Sequence, residues 1–283
     1  MTEKIKQDVS GTAFVVNYSR SKMVNISKDI YATLWVTPDS ISLWDDLARN
    51  VYPNDDLNLS LRNRFYLEHL KKFVGENKNP VFIGIASGFS NYPFLVEGNC
   101  RFMEFDLPHI MELKKNEVTQ WMKEKKLPER RIEYVSTDLN DEKQRMEMKE
   151  ILKETICENP SFVTMEGVTY YLKREALNDV FRILGEIQKE GSITAFDYWK
   201  PDAMEYPVMV KLEEYLDKKF GYRDQDWDLL DETYIKKIKG FAEIESTDIA
   251  ELELEYSVTR RFQGMENKIP VHFSVLKKVQ TKD

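Results

Sequence analysis

The chain has 283 residues, 42% hydrophobic and 32% charged, which suits one large globular domain and excludes a disordered polymer. A formal net charge of −8 argues against a nucleic-acid partner, because neutralising phosphates takes a basic face and no Lys/Arg-rich block supplies one. No stretch approaches the ~18 apolar residues of a membrane span, the opening MTEKIKQDVS has no signal-peptide core, and Cys100 and Cys157 read as buried thiols of a reducing compartment, so the expected location is the cytoplasm.

Residues 1–56 read as a helical N-terminal extension or lid rich in Tyr, Trp and Phe, and residues 57–283 as the main domain. Leu61, Phe65, Leu70 and Phe73 then recur near helical spacing, ahead of a first strand over Pro80–Ser87. Four more β-branched and aromatic runs read as strands: Arg101–Asp106, Ile132–Asp138, Ser161–Glu166 and Ser192–Trp199. Amphipathic helical patterns separate them, beginning near Ile110, Met146 and Leu177. Such alternation predicts an α/β fold with a doubly wound, mostly parallel, Rossmann-like sheet covered on both faces. Residues 202–240 read as a helical insertion. Beyond it, two alternating runs within Glu243–Phe262, ending in LELEYSVTRRF, and another over Val271–Val279 predict an antiparallel hairpin that brings the sheet to seven strands.

Ligands of open α/β sheets bind beyond the carboxyl ends of the strands. The first strand runs into Gly84-Ile-Ala-Ser-Gly88, where small residues permit close backbone approach. This is not the three-glycine dinucleotide fingerprint. The second strand ends in Asp106, 18 residues after Gly88 and placed to accept from two ribose hydroxyls. An N-cap role is the alternative for Asp106, and Pro108 suits the first turn of the following helix. The third strand ends in Asp138-Leu139, an acceptor for an adenine amino group beside an apolar contact for the ring; a capping or loop role is the alternative. The fourth ends in Glu166, a strand-end carboxylate that a cationic ligand would compensate. Together the three acids favour a positively charged nucleoside over a pyrophosphate cofactor.

With these residues in order, the chain resembles the leucine carboxyl methyltransferase family, including its bacterial branch of O-methyltransferases. The resemblance rests on Leu61-Arg-Asn-Arg-Phe65, the Gly88 loop, Met103-Glu-Phe-Asp-Leu-Pro108, Tyr134-Val-Ser-Thr-Asp-Leu139 and Glu166-Gly-Val-Thr-Tyr-Tyr-Leu172. It extends from about residue 12 to about residue 200. It implies S-adenosylmethionine as cofactor and S-adenosylhomocysteine as product. It also implies that Arg62, and Arg20 from Ser-Arg-Ser-Lys, face the cofactor's methionine carboxylate. Gly88 then lies beside the cofactor, Asp106 takes the ribose, Asp138 and Leu139 take the adenine, and Glu166 takes the methionine end. Two departures stand out. Ala86 occupies a position where the family usually has glycine, and Ser90-Asn91-Tyr92 stands where it usually has Asp-Thr-Arg.

Methyl transfer from a sulfonium is an in-line displacement that depends on positioning. It requires no metal, and His69, His109 and His272 with two distant cysteines show no ligand spacing. A carboxylate acceptor is already ionised at neutral pH, whereas a hydroxyl gains from a base; no histidine is placed to be one, which leans the expectation toward an acidic acceptor, although Glu166, Asp197 or a tyrosine could serve. The acceptor pocket is expected from the N-terminal extension, Tyr170-Tyr171, Phe196–Trp199, Tyr206 and Tyr215. Tyr171, which matches a family tyrosine, and Tyr198, placed just past a strand end, are the residues expected to act on the acceptor. The acid-rich run Tyr222–Asp228 reads as a surface loop. The expected partner is a small-molecule acceptor. A protein carboxyl terminus as acceptor, a non-catalytic cofactor binder and an NAD-type dehydrogenase are the competing readings. The missing three-glycine fingerprint opposes the last of them.

Overall fold

The computed structural model describes residues 3–220 and 227–280, with side chains for 13–219 and 227–280. Helices α1 (Glu3–Lys22) and α2 (Val24–Ser27) lead to a single 3₁₀ turn at Ala32–Trp35 and to α3 (Pro38–Asn50). The start of α3 is fixed by a reciprocal cap. Thr37 Oγ1 accepts from the Ser40 N–H at 3.1 Å, and Ser40 Oγ accepts from the Thr37 N–H at 3.0 Å. Next comes α4 (Asp55–Glu76), whose Leu57, Leu61, Phe65 and Leu70 are fully buried at spacings of four and five. Both α3 and α4 pack against α1.

The α/β core follows: β1 (Val81–Ile85), a short α5 (Tyr92–Leu95), β2 (Arg101–Asp106), α6 (Pro108–Lys123), β3 (Ile132–Ser136), α7 (Glu142–Ile156), β4 (Ser161–Met165), α8 (Arg174–Ile187) and β5 (Ile193–Trp199). Then come α9 (Pro207–Phe220), α10 (Glu232–Lys236), β6 (Phe241–Asp248), α11 (Ile249–Tyr256) and β7 (Val271–Lys278). The seven strands lie in the order β3-β2-β1-β4-β5-β7-β6. β1 to β5 are parallel to their neighbours, and β7 runs antiparallel to both β5 and β6. Alternate side chains feed two core layers. Val81, Ile83 and Ile85 pack with α7 and α8, while Phe82 packs with α4. The order reverses between β1 and β4, which is where such sheets open a crevice.

The predicted strands stand where the sequence placed them: Arg101–Asp106 coincides with β2, and the others have ends one or two residues shorter. The C-terminal reading needs correction. LELEYSVTRRF is not a strand: its first five residues close α11. Asp248 caps that helix, accepting from the Ala250 and Glu251 N–H groups at 2.8 and 3.1 Å, while Glu251 reaches back to the Asp248 N–H at 3.1 Å. This capping box outweighs the period-2 alternation, and burial follows the helix, with Leu252 enclosed and Leu254 60% exposed. Glu253 is buried by accepting from the Arg261 and Phe262 N–H groups at 2.6 and 3.0 Å, which turns the chain toward β7. The hairpin partner of β7 is therefore β6 alone. The cysteines also differ from expectation. Cys157 caps the C-terminus of α7 on the solvent side, and Cys100 is only partly covered. Among the described residues, no helix is long and apolar enough to cross a membrane. Of the Tyr222–Asp228 run, only Trp227 and Asp228 fall within the described residues.

Candidate cofactor and acceptor site

A cavity of about 360 Å³ opens over the carboxyl ends of β1 to β4. Backbone bonds extend the parallel ladder into the loops that line it. The Ser87 N–H donates to Phe105 O at 3.1 Å and the Thr137 N–H to Asp106 O at 2.7 Å. At its floor, Asp106 accepts from the Gly88 N–H through Oδ2 at 2.7 Å and from the Leu107 N–H through Oδ1 at 2.7 Å. The N-cap of α6 is Leu107, with Pro108 in its first turn, so Asp106 is not the cap. Burial pushes the Asp106 carboxyl up; the two N–H groups, then Lys114 and His109, pull it back down. Lys114 itself is buried in a 2.8 Å ion pair with Glu104, directly behind this carboxylate on β2.

Glu166 is the hub of a buried charge cluster. It binds both predicted arginines, Arg20 directly and Arg62 through Nε at 3.0 Å, and accepts from Tyr92 Oη at 2.6 Å. Burial works to raise its pKa, but the two guanidiniums and Tyr92 outweigh burial and hold it below the ordinary range. Asp197 forms a second tier. Its Oδ1 accepts from the Gly167 N–H and from Tyr66 Oη, both at 2.7 Å, and its Oδ2 lies 3.8 Å from Arg62. Gly167 is needed here, at φ +66°, because a Cβ would stand 3.0 Å from an Arg62 nitrogen. Asp138 borders the cavity, and its Oδ1 accepts from the Asn140 N–H at 3.0 Å, the predicted loop role. Leu139 is buried beside it.

The two departures from the family pattern acquire physical content. Ala86 has φ +52°, in the left-handed region where glycine is at ease. Ala86→Gly relieves roughly 1–2 kcal/mol of such strain against about 0.4–1 kcal/mol of added unfolded-chain freedom. Urea titration is expected to show a midpoint equal to or above wild type, and a clear loss of stability would refute the strain. The Ser90-Asn91-Tyr92 segment is anchored by new partners. Asn91 accepts from Trp35 Nε1 at 3.0 Å and donates to both oxygens of Asp29 at 3.0 Å, while Tyr92 takes the bond to Glu166. Trp35 stacks on Phe89 at 4.4 Å, and Phe14 of α1 lies 4.6 Å from the same ring, which fastens the N-terminal helices to the loop.

Of the predicted residues, Arg20, Arg62, Gly88, Asp106, Asp138, Leu139, Glu166 and Tyr171 all border the one cavity. Gly84 does not. It lies within β1 beneath the loop, where a Cβ would meet Ser87 Cβ at 3.0 Å, so its place is steric. Tyr198 is a correction. It lies inside β5, and its ring points into the layer beneath the sheet with Phe196, while Asp197 and Trp199 take the cavity side. Tyr206 also stands apart from the cavity, whereas Tyr215 and Trp199 line it. Sequence reasoning missed Asp55 and Asn58. They share a face of α4 with Arg62, at spacings of three and four, and all three border the cavity. It also missed Asn17, one turn before Arg20 on α1. Among the described residues, no three His, Cys, Asp or Glu side chains gather as metal ligands.

A sheet of this order, with an antiparallel seventh strand and acids after three successive strands, defines the class I methyltransferase fold. The chain belongs to the leucine carboxyl methyltransferase family, whose model matches residues 16–185, and is thereby an S-adenosylmethionine-dependent methyltransferase. Two solved structures share the fold across nearly the whole chain. A candidate methyltransferase from Thermobifida fusca YX is 12% identical with a TM-score of 0.64, covering 91% of this chain and 95% of its own. A DUF574 family protein from Streptomyces avermitilis MA-4680 is 16% identical with a TM-score of 0.62, covering 95% and 97%. No curated protein sequence matches the chain.

Proposed function

We propose that the protein binds S-adenosylmethionine across the ends of β1 to β4 and methylates an oxygen of a small-molecule acceptor. The observation that carries this reading is the paired disposition of charge: an acid with spare acceptor capacity at one end, and two buried guanidiniums at the other. A carboxylate offers about four acceptor sites, and Asp106 spends two on backbone N–H groups. At the other end, Arg20 Nε and Asn17 Oδ1 are buried without a hydrogen-bond partner, a donor and an acceptor suited to an amino acid's carboxylate and ammonium. The bound sulfonium supplies an activated methyl group. The chain's own work is then to hold that group in line with the acceptor, exclude water and receive any proton released.

Calorimetric titration with S-adenosylmethionine and S-adenosylhomocysteine, with NAD in parallel, tests the reading. The expected result is micromolar binding of both sulfur nucleosides, none of NAD, and a loss of at least tenfold in Arg62→Ala. If the folded wild type binds neither nucleoside, the proposal fails.

A further inference from the structure

The part of the cavity beyond Arg62 is built differently from the cofactor end. Its walls are Leu47 of α3, Val208 and Leu212 of α9, Val271 of β7, and the rings of Tyr171 and Trp199. Among the described residues lining this half, Asp55 alone carries a charge. Asp55 opens α4, two turns before Arg62, or about 10 Å along the axis. The charges close by are taken elsewhere. Lys22 and Arg261 both lie against the neighbouring Asp56, at 4.0 and 3.2 Å, and Arg62 is held by Glu166. Asp55 keeps one direct partner, the Asn58 amide, which donates to its Oδ1 at 2.9 Å.

From this we infer that the acceptor is an uncharged, largely apolar or aromatic molecule bearing a hydroxyl group, and that Asp55 receives its proton. The inference rests on the methyltransferase reading above and narrows its acceptor. A carboxylate acceptor would bring a second negative charge to an apolar chamber that offers Asp55 but no cation of its own. A hydroxyl reverses that sign, since it donates to the carboxylate. As the acceptor oxygen bonds to the methyl carbon, the carbon–sulfur bond breaks and its electron pair stays on sulfur. The hydroxyl proton passes to Asp55 and from there to water. Burial raises the Asp55 carboxyl above its ordinary range, against the pull of Asn58 and Arg62. That shift moves it toward the proton affinity a base needs near neutral pH. Tyr52 and Tyr171, the other titratable groups of this chamber near Asp55, are both pushed up and stay neutral.

The test uses two probes that differ in one group, 2-naphthol and 2-naphthoate, titrated into protein saturated with S-adenosylhomocysteine. Wild type is expected to bind the naphthol at least tenfold more tightly. Asp55→Asn should keep its S-adenosylhomocysteine affinity within twofold, lose most of the preference by admitting the naphthoate, and methylate 2-naphthol about 100-fold more slowly or worse. Asp55→Glu should retain the preference. Equal or tighter binding of the naphthoate, binding of neither probe, or an unchanged preference in Asp55→Asn would each overturn the inference. Failure of the wild type to bind S-adenosylhomocysteine would instead remove the methyltransferase reading itself.

Discussion

Glu166→Gln is expected to melt roughly 6–12 °C below wild type at pH 7. Glu166 neutralises two buried guanidiniums at once and accepts the Tyr92 hydroxyl. Removing one member of a buried ion pair typically costs about 3–5 kcal/mol, because the remaining charge stays buried. The lower end applies here, since Asp29 lies 4.0 Å from Arg20 and Asp197 lies 3.8 Å from Arg62, and both continue to offset charge. The pH dependence has a definite sign. Glu166 is held below its ordinary 4.5 in the folded protein, so its contribution is present in full above that value. It is lost as pH falls through the depressed folded value. The gap between wild type and Glu166→Gln should therefore narrow below about pH 4.5. Calorimetric melting of both proteins across that range measures it. Equal melting temperatures at pH 7 would show that Asp29 and Asp197 suffice without Glu166.

Asp106→Ala is expected to weaken S-adenosylhomocysteine binding by roughly 100-fold to 10,000-fold. Two ribose hydroxyls donating to an ionised carboxylate are each worth about 1.5–3 kcal/mol. The thermal shift provides a second readout. A ligand at 100 times its dissociation constant stabilises by about 2.7 kcal/mol, and the variant should show almost none of this at the same concentration. Burial lifts the Asp106 carboxyl above its ordinary 3.8. The ionised form is the acceptor, so wild-type affinity should begin to fall, as pH is lowered, at a pH above that value. Affinity in Asp106→Ala within tenfold of wild type would remove Asp106 from the ribose site.

The strands, and the convergence of Arg20, Arg62, Gly88, Asp106, Asp138 and Glu166 on one cavity, were legible because each rests on local chemistry. A short apolar, β-branched and aromatic run such as Val81–Ile85, bounded by Pro80 and the Gly88 loop, reads as a buried strand, and acids after three successive strands form a pattern that a cap at any one of them does not explain. Of the residues expected at the other half of the cavity, Tyr170, Tyr171, Trp199 and Tyr215 line it, and the rest was not legible, for a physical reason. Leu47, Asp55, Val208 and Val271 come from separate elements, and each has an unremarkable local reading as core or cap. Only their convergence makes a chamber. Asp55 illustrates this: beside Asn54 and Asp56 it reads as a helix start, and the spacing to Asn58 and Arg62 gains meaning only once Arg62 is placed. Tyr198 failed because it was read as lying past the strand end although the run to Trp199 includes it, and alternation within that strand turns its ring away from the cavity. LELEYSVTRRF failed because alternation was weighed above the Asp248–Glu251 cap that precedes it.

The position of β7 has a consequence for how the chain is made. Trp199 and its register partner Val271 are 72 residues apart, and among the described strands β7 alone pairs with that edge of β5. At roughly 5–20 residues per second, a ribosome takes some four to fourteen seconds to supply the missing strand. Throughout that interval, the seven-residue edge Ile193–Trp199 is an apolar template open to any other strand. The nascent protein therefore gains from shelter of that edge until its C-terminal strand arrives to close the sheet.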